Sequence, residues 1–315
     1  MNLGRCLTCL YSRRNLAKVI ATSRVKSERA CDGHAEIHAQ IGLNIAPCPM
    51  NCKFCSFAEA NNVFKESTEI PIEEVLIRAV RFEADGSNAV LLMGTAHYPP
   101  SKFVEVMQEV RRNLKPETIL VANTGDMSLR QARELKDAGC SGFYHAVRLG
   151  EVRDTSIPVE HRLNTMKVLH EAGLLLGTCL EPVGPEHKTS ELVEKTLITR
   201  DAKPTYSCAA RRIPIPGTEL ARHGLVSEAR MAHILAVVRH ALGYDVPGNC
   251  THEPNVIGVS AGAKLVWAEA GVNPRDTEEN TEGHRGMTVA DCRKIYEEAE
   301  WRVLEGPSTH YAPSC

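Results

Sequence analysis

Within the eight residues of CPMNCKFC the chain places Cys48, Cys52 and Cys55 in a C-x3-C-x2-C array, with Phe54 just ahead of the last thiol. Three thiolates so close in sequence can wrap one soft metal or one cluster. Structural zinc sites close with four ligands, and no second C-x2-C follows nearby. A four-iron cube takes one ligand per iron, so three cysteines leave one iron open to a substrate or second cofactor. The non-enzymatic alternative is a zinc-stabilised scaffold, which would contain zinc and show no cluster absorption.

The chain holds 12 cysteines in 315 residues, more than a disulfide-free protein needs as small core side chains. Cys140 in KDAGCSGF and Cys292 in VADCRKIY stand alone at ordinary helix-associated positions and read as core. Cys6 and Cys9 form a C-x2-C pair near the start, and Cys31 follows. The formal net charge of −2 supplies no field for nucleic acid or an anionic membrane surface. No apolar run reaches the roughly 20 residues of a membrane span, and the first residues lack the apolar stretch of a signal peptide. The expected setting is cytoplasmic, with neither nucleic acid nor membrane as partner.

The elements that must position the trio alternate in type. Strand-like apolar runs occupy 37–46, 89–94, 118–125, 142–150, 174–184, 205–217, 244–251 and 255–263. Helix-like segments lie between them, several starting after Pro, Ser or Thr and ending at Gly, as in KDAG and HEAG. About eight βα units predict an α/β fold, a (βα)8 or near-complete TIM-type barrel. The expected organisation is an N-terminal extension over 1–35, a barrel over 36–300 and a C-terminal tail over 301–315. The trio then falls in the loop leaving the first strand, at the barrel end where active sites gather. His97 and His145, the pair Arg211 and Arg212, and the THEPN stretch (251–255) also fall at expected strand ends. Arg211 and Arg212 are readable equally as binders of a substrate carboxylate or phosphate and as an exposed pair. The two histidines either line the cavity or, more commonly for such residues, are structural. THEPN is the sharper candidate for substrate contact.

A C-x3-C-x-aromatic-C array in the loop after a first barrel strand resembles the radical S-adenosylmethionine (SAM) superfamily. LLMGTAHYPP (91–100), the 123–151 unit, HRLNTMKVLHEAGLLLGTCLEPVGPEH (161–187) and GVSAGAKLVWAEAGVNPRD (258–276) are similar to the biotin synthase-like branch. The resemblance covers about residues 36–300. It implies a [4Fe–4S] cluster on Cys48, Cys52 and Cys55 whose open iron chelates SAM, and an electron donor such as ferredoxin or flavodoxin. Reductive cleavage of SAM would yield a 5′-deoxyadenosyl radical that removes an unactivated hydrogen. It further implies SAM contacts at Phe54, Gly94, Thr95, Arg162 and Val183. Arg148 and Glu151, in an R-x-x-E stretch one residue longer than the family's, are implied to hold SAM as well.

Biotin synthases hold a second cluster inside the barrel. Its positions correspond here to Leu92, Val121 and Gly177 or Thr178, with Cys179 close by, and its arginine falls near Cys250, so the usual ligand set is missing. The layout also resembles the two-protein lipoyl synthases of archaea and some bacteria. That resemblance implies an auxiliary [4Fe–4S] cluster on Cys6, Cys9 and Cys31, with Cys250 or Cys315 as fourth ligand. Cys208 lies in a strand with its facing unassigned. The activity implied is sulfur insertion into a protein-bound octanoyl group, with an octanoylated carrier protein and a second radical SAM subunit as partners. The alternative is a rearranging enzyme of another cofactor pathway, hydrogenase-maturase-like, without sulfur insertion.

Overall fold

The computed structural model describes residues 3–12, 16–277 and 287–311. Strands follow as β1 (His34–Gly42), β2 (Asn44–Ile45), β3 (Thr68–Glu69), β4 (Ala89–Met93), β5 (Ile119–Asn123) and β6 (Gly142–Tyr144). Then come β7 (Leu175–Val183), β8 (Tyr206–Arg211), β9 (Gly248–Cys250), β10 (Leu265–Gly271) and β11 (Arg302–Val303). β1 and β4 to β10 pair in parallel in that order, and β10 pairs back onto β1, closing an eight-stranded barrel. The α/β barrel expected from the alternating pattern is the fold.

β1 shows how the strands divide their faces, since side chains alternate along a strand. Ala35, Ile37, Ala39 and Ile41 join the core between barrel and helices. Glu36, His38 and Gln40 take the other face, inside the barrel, where His38 meets Tyr206 and Trp267 edge-on. A separate interior layer holds Leu91, Val121, Tyr144, Cys179, Cys208, Cys250 and Trp267.

Helices cover the outside: α1 (Leu3–Tyr11), α2 (Leu16–Ala30), α3 (Ile72–Ala84), α4 (Pro100–Asn113) and α5 (Leu129–Asp137). They continue with α6 (Val159–Glu171), α7 (Thr189–Asp201), α8 (Glu228–Leu242), α9 (Val256–Ser260) and α10 (Val289–Glu298). α5 begins in a reciprocal capping box between Ser128 and Gln131. The first helix packs outside the barrel: the Tyr11 hydroxyl bonds Thr196 of α7 at 2.6 Å, and His233 of α8 meets the Leu10 carbonyl at 2.8 Å. At the other terminus β11 pairs with the start of β1, and Tyr311 is buried against Tyr206. Residues 301–311 thus cover the barrel end opposite the strand C-termini.

One expected strand is misplaced. The run 255–263 is not the eighth strand; it holds α9, and the strand is Leu265–Gly271. Asn255 caps that helix by accepting from the Gly258 N–H at 2.7 Å, a cap-and-turn that outweighs the short apolar run VIGV.

Barrel closure depends on one residue without a side chain. A Cβ on Gly42 would stand 1.6 Å from the Val272 carbonyl oxygen, and backbone there has nowhere to move. Gly42→Ala is expected to lower stability by about 1–3 kcal/mol, seen as a lower denaturant midpoint. An unchanged midpoint would show that β10 yields at this point.

Candidate functional site

The three cysteines sit in the loop that follows β2, at the C-terminal end of the barrel. The loop is fixed through its backbone. The Cys48 N–H donates to the Phe57 carbonyl at 2.7 Å and the Cys55 N–H to the Cys52 carbonyl at 2.9 Å. Asn61 Nδ2 reaches the Cys52 and Cys55 carbonyls at 3.2 and 2.8 Å. Ser56 Oγ ties the loop to the Pro274 carbonyl at 2.9 Å. Asn51 takes a left-handed turn at φ 46 and accepts from the Ala60 N–H at 2.9 Å, a conformation Asn tolerates better than most residues.

All three thiols line one cavity over the barrel mouth. Burial raises the Cys48 thiol above its usual range, Cys52 to about 11 and Cys55 to about 12. Left alone they stay protonated; a metal cluster is what can displace those protons and keep three thiolates here. Their spread fits a cluster rather than one ion. Among the described residues, the group of three with all ligand atoms within 4.8 Å of one another is Cys179, Cys208 and His252, not this trio.

Phe54, Gly94, Thr95, Arg148 and Arg162 line the same cavity as the cysteines. Thr95 is held from both sides by Asn44, whose Nδ2 donates to its hydroxyl and whose Oδ1 accepts from its N–H, each at 3.0 Å. Gly94 lets the β4 turn pass Tyr98, whose Cβ would lie 3.2 Å from an added methyl. Arg162 is nearly buried, with Nε 3.2 Å from Glu151 and Nη1 3.4 Å from Asp126. Burial and the neighbouring Arg148 pull the Arg162 pKa down, and the two carboxylates offset them. His145 also lines the cavity, 2.9 Å from Asp126. Burial lowers it to about 4, so the ring is neutral and its Nε2–H donates to the carboxylate.

Two residues implied as SAM contacts stand outside the cavity lining. The Glu151 carboxylate is turned to Arg162 and Thr155, with no exposed surface; it positions Arg162. Val183 is 1% exposed, beyond an irregularity in the β7–β8 pairing between Leu180 and Val183. That shift changes which side chains face inward, so Glu181 and Pro182 line the cavity instead. Glu181 stands 3.6 Å from Arg148.

The four cysteines implied for an auxiliary cluster are not brought together. Cys6 and Cys9 ride on α1, which packs on α7 and α8 outside the barrel. The Cys31 thiol bonds the Ser27 carbonyl at 3.0 Å, just ahead of β1 and so at the opposite end from the trio. Cys250 is wholly buried in the interior layer. Cys315 lies outside the described residues. Cys208 faces inward, beside Cys179 and Cys250.

Other strand-end residues divide as well. His97 is exposed and away from the cavity. Arg211 and Arg212 line it but are already paired, Arg211 with Glu253 and Arg212 with Glu186. Within THEPN, His252 and Glu253 reach the lining. Asn44, Glu181 and the pair Glu269 and Arg275, 2.5 Å apart, also line it and carry no motif that singles them out.

A parallel barrel with a three-thiol loop after its first strands, opening on a cavity lined by five arginines, has the layout of an iron–sulfur radical enzyme. Residues 46–197 match the Radical SAM superfamily, and along most of its length the chain is similar to biotin synthases. It is 24% identical to a biotin synthase of Schizosaccharomyces pombe over 291 residues, covering 82% of this chain and 78% of that protein. A biotin synthase of Picosynechococcus is 25% identical, with 53% of this chain and 49% of that protein covered. In fold, the chain is similar to methylornithine synthase, with a TM-score of 0.76 at 16% identity over 96% of this chain and 93% of the other. The maturase HydG of Carboxydothermus hydrogenoformans gives a TM-score of 0.75 at 17% identity over 94% and 74%. The superfamily matched over 46–197 implies a [4Fe–4S] cluster, SAM and a reductant, and three thiols lining one cavity with Arg148 and Arg162 fit them. No helix among the described residues is long and apolar enough to cross a membrane.

Arg162 can be tested directly. A planar guanidinium fork matches a carboxylate in a way an ammonium does not. Arg162→Lys is expected to weaken SAM binding about tenfold, or about 1.4 kcal/mol, by equilibrium binding to the iron-loaded protein. Unchanged affinity would make Arg162 a structural residue.

Proposed function

We propose that the protein inserts sulfur at unactivated C–H bonds, and most specifically that it is a lipoyl synthase component acting on a protein-bound octanoyl group in the cytoplasm. The similarity to biotin synthases along most of the chain carries this reading. When bound, the cluster and SAM supply the hydrogen-abstracting radical. The chain's own residues do the rest. Cys48, Cys52 and Cys55 anchor the cluster, and Arg148 and Arg162 offer cations to the SAM carboxylate. Thr95, fixed by Asn44, shapes the wall behind the methionine end. Closed barrel walls keep water from the reacting carbon. The partners proposed are a ferredoxin or flavodoxin, an octanoylated carrier protein and a second radical SAM subunit.

The test is anaerobic turnover of the iron-loaded protein with SAM, a reductant and an octanoylated lipoyl-domain peptide. 5′-Deoxyadenosine together with a peptide mass gain from sulfur is expected. 5′-Deoxyadenosine without mass gain would overturn sulfur insertion into this group in favour of a rearrangement in another cofactor pathway.

A further inference from the structure

Beneath the cavity, three strands bring thiols into one row. Cys179 of β7 stands in register with Cys208 of β8, and Cys208 with Cys250 of β9. All three side chains are buried in the barrel interior. Directly after β9, His252 turns back over them and also lines the cavity. Ligand atoms of Cys179, Cys208 and His252 all lie within 4.8 Å of one another, and the Cys250 thiol contacts that of Cys208.

Core cysteines elsewhere look different. Cys140 and Cys292 each bond one carbonyl, that of Gly142 at 3.0 Å and that of Trp267 at 3.4 Å; Cys208 bonds the Thr178 carbonyl at 3.4 Å too, but with the thiols of Cys179 and Cys250 beside it. Small apolar packing explains Cys140 and Cys292. It does not explain three thiols in register on neighbouring strands with an imidazole closing over them. That imidazole is held in place: Nε2 is 3.1 Å from the Tyr144 hydroxyl, and the ring stacks on Trp267 with centroids 5.8 Å apart. A metal-binding histidine is commonly oriented by such neighbours.

We propose that Cys179, Cys208 and His252 form a second metal site, for a single thiophilic divalent ion such as Zn2+ or Fe2+, on the floor of the cavity. The spacing selects one ion. Metal–sulfur bonds of about 2.3 Å in a tetrahedron place neighbouring ligands about 3.8 Å apart, and the three ligand atoms here all lie within 4.8 Å of one another. The ligands of a cube sit on different irons and stand wider, as Cys48, Cys52 and Cys55 do. Two thiolates and one imidazole leave a fourth position, the pattern of catalytic rather than structural sites. Binding releases the two thiol protons to solvent and leaves the metal's oxidation state unchanged. Because His252 belongs to both the site and the cavity lining, the ion enters through the cavity, and a soft donor on a substrate can reach it there.

Cobalt(II) is the probe, in full-length protein lacking the N-terminal thiol pair and the loop trio: Cys6→Ala, Cys9→Ala, Cys48→Ala, Cys52→Ala and Cys55→Ala. One cobalt per chain is expected, with thiolate charge-transfer absorption and intense tetrahedral d–d bands. Adding Cys179→Ala and Cys208→Ala should abolish both signals while circular dichroism stays unchanged. His252→Ala, at the cavity floor where the ring is partly open to the cavity, should keep the charge-transfer band, shift the d–d bands and weaken cobalt binding at least about tenfold. Three results would overturn the site: no cobalt bound in the five-alanine protein, binding insensitive to the Cys179 and Cys208 changes, or His252→Ala leaving spectrum and affinity as they were. None of them depends on turnover, so this site and the proposed sulfur insertion stand or fall separately.

Discussion

Cys52→Ala is expected to eliminate SAM cleavage, bringing 5′-deoxyadenosine formation under reducing conditions to background, and to strip the loop of its iron. Each cube iron needs a ligand, and the SAM-binding iron is already without a protein thiolate; removing Cys52 leaves two thiolates for four irons. Two cavity-lining groups that could replace it are already committed: Glu181 to Arg148, and His145 to Asp126. Loss of fold is not the cause of this effect. Cys52 is bound into the loop through its carbonyl, which accepts from the Cys55 N–H and Asn61 Nδ2, and alanine keeps that carbonyl. The readouts are iron per chain, cluster absorption, 5′-deoxyadenosine and far-ultraviolet circular dichroism on one preparation. A variant that still cleaves SAM at the native rate would remove the trio from the chemistry.

That loop was the most legible part of the chain because its information is local: residue types at fixed spacing within eight positions. The barrel was legible for a related reason, since alternating apolar runs and capped helices repeat along the sequence. What stayed hidden is what depends on pairing between distant segments. The row formed by Cys179, Cys208 and Cys250 exists through the register of three parallel strands, and no spacing in the sequence encodes it. The resemblance therefore groups Cys250 with Cys6, Cys9 and Cys31, which the fold sends to the outside and the opposite end. Val183 falls outside the cavity lining for a smaller reason. One pairing irregularity in β7 is enough to exchange inward and outward residues, putting Glu181 and Pro182 on the cavity. Asn44 escaped notice because a lone Asn beside a strand has many uses, and its double bond to Thr95 appears only once β4 lies beside it.

Glu36→Ala is expected to be the most destabilising of the substitutions considered, by about 3–5 kcal/mol, through the barrel end remote from the cysteine loop. The carboxylate is 1% exposed there and accepts from His38 Nε2 at 2.8 Å, Ser308 Oγ at 2.5 Å, the Thr309 N–H at 2.9 Å and Thr309 Oγ1 at 2.6 Å. Removing it strands several buried donors at once and unties residues 308–311 from β1. Burial pushes this carboxyl up, but His310, charged only in acid, and the bonds from His38 and Ser308 prevail and hold it far below the usual carboxylate range. A carboxyl whose folded pKa lies below its unfolded value, about 4.3, stabilises fully above that pH and progressively less as acid is added. His310 acts in the same direction. Burial lowers it to about 3, so the unfolded chain takes up its proton first, from about pH 6.5 downward, and draws the equilibrium toward unfolding. Chemical denaturation of native protein and Glu36→Ala between neutral pH and about pH 3 should show the widest gap near neutrality, narrowing below about pH 4.3. A gap constant with pH would mean that the carboxylate's charge adds nothing. The effect bears on function because Tyr206, Trp267 and Tyr311 pack directly over this network, and Trp267 carries the stacked His252 at the cavity floor. Loosening the sealed end should therefore also weaken cobalt binding at the inner thiols, although Glu36 touches none of them.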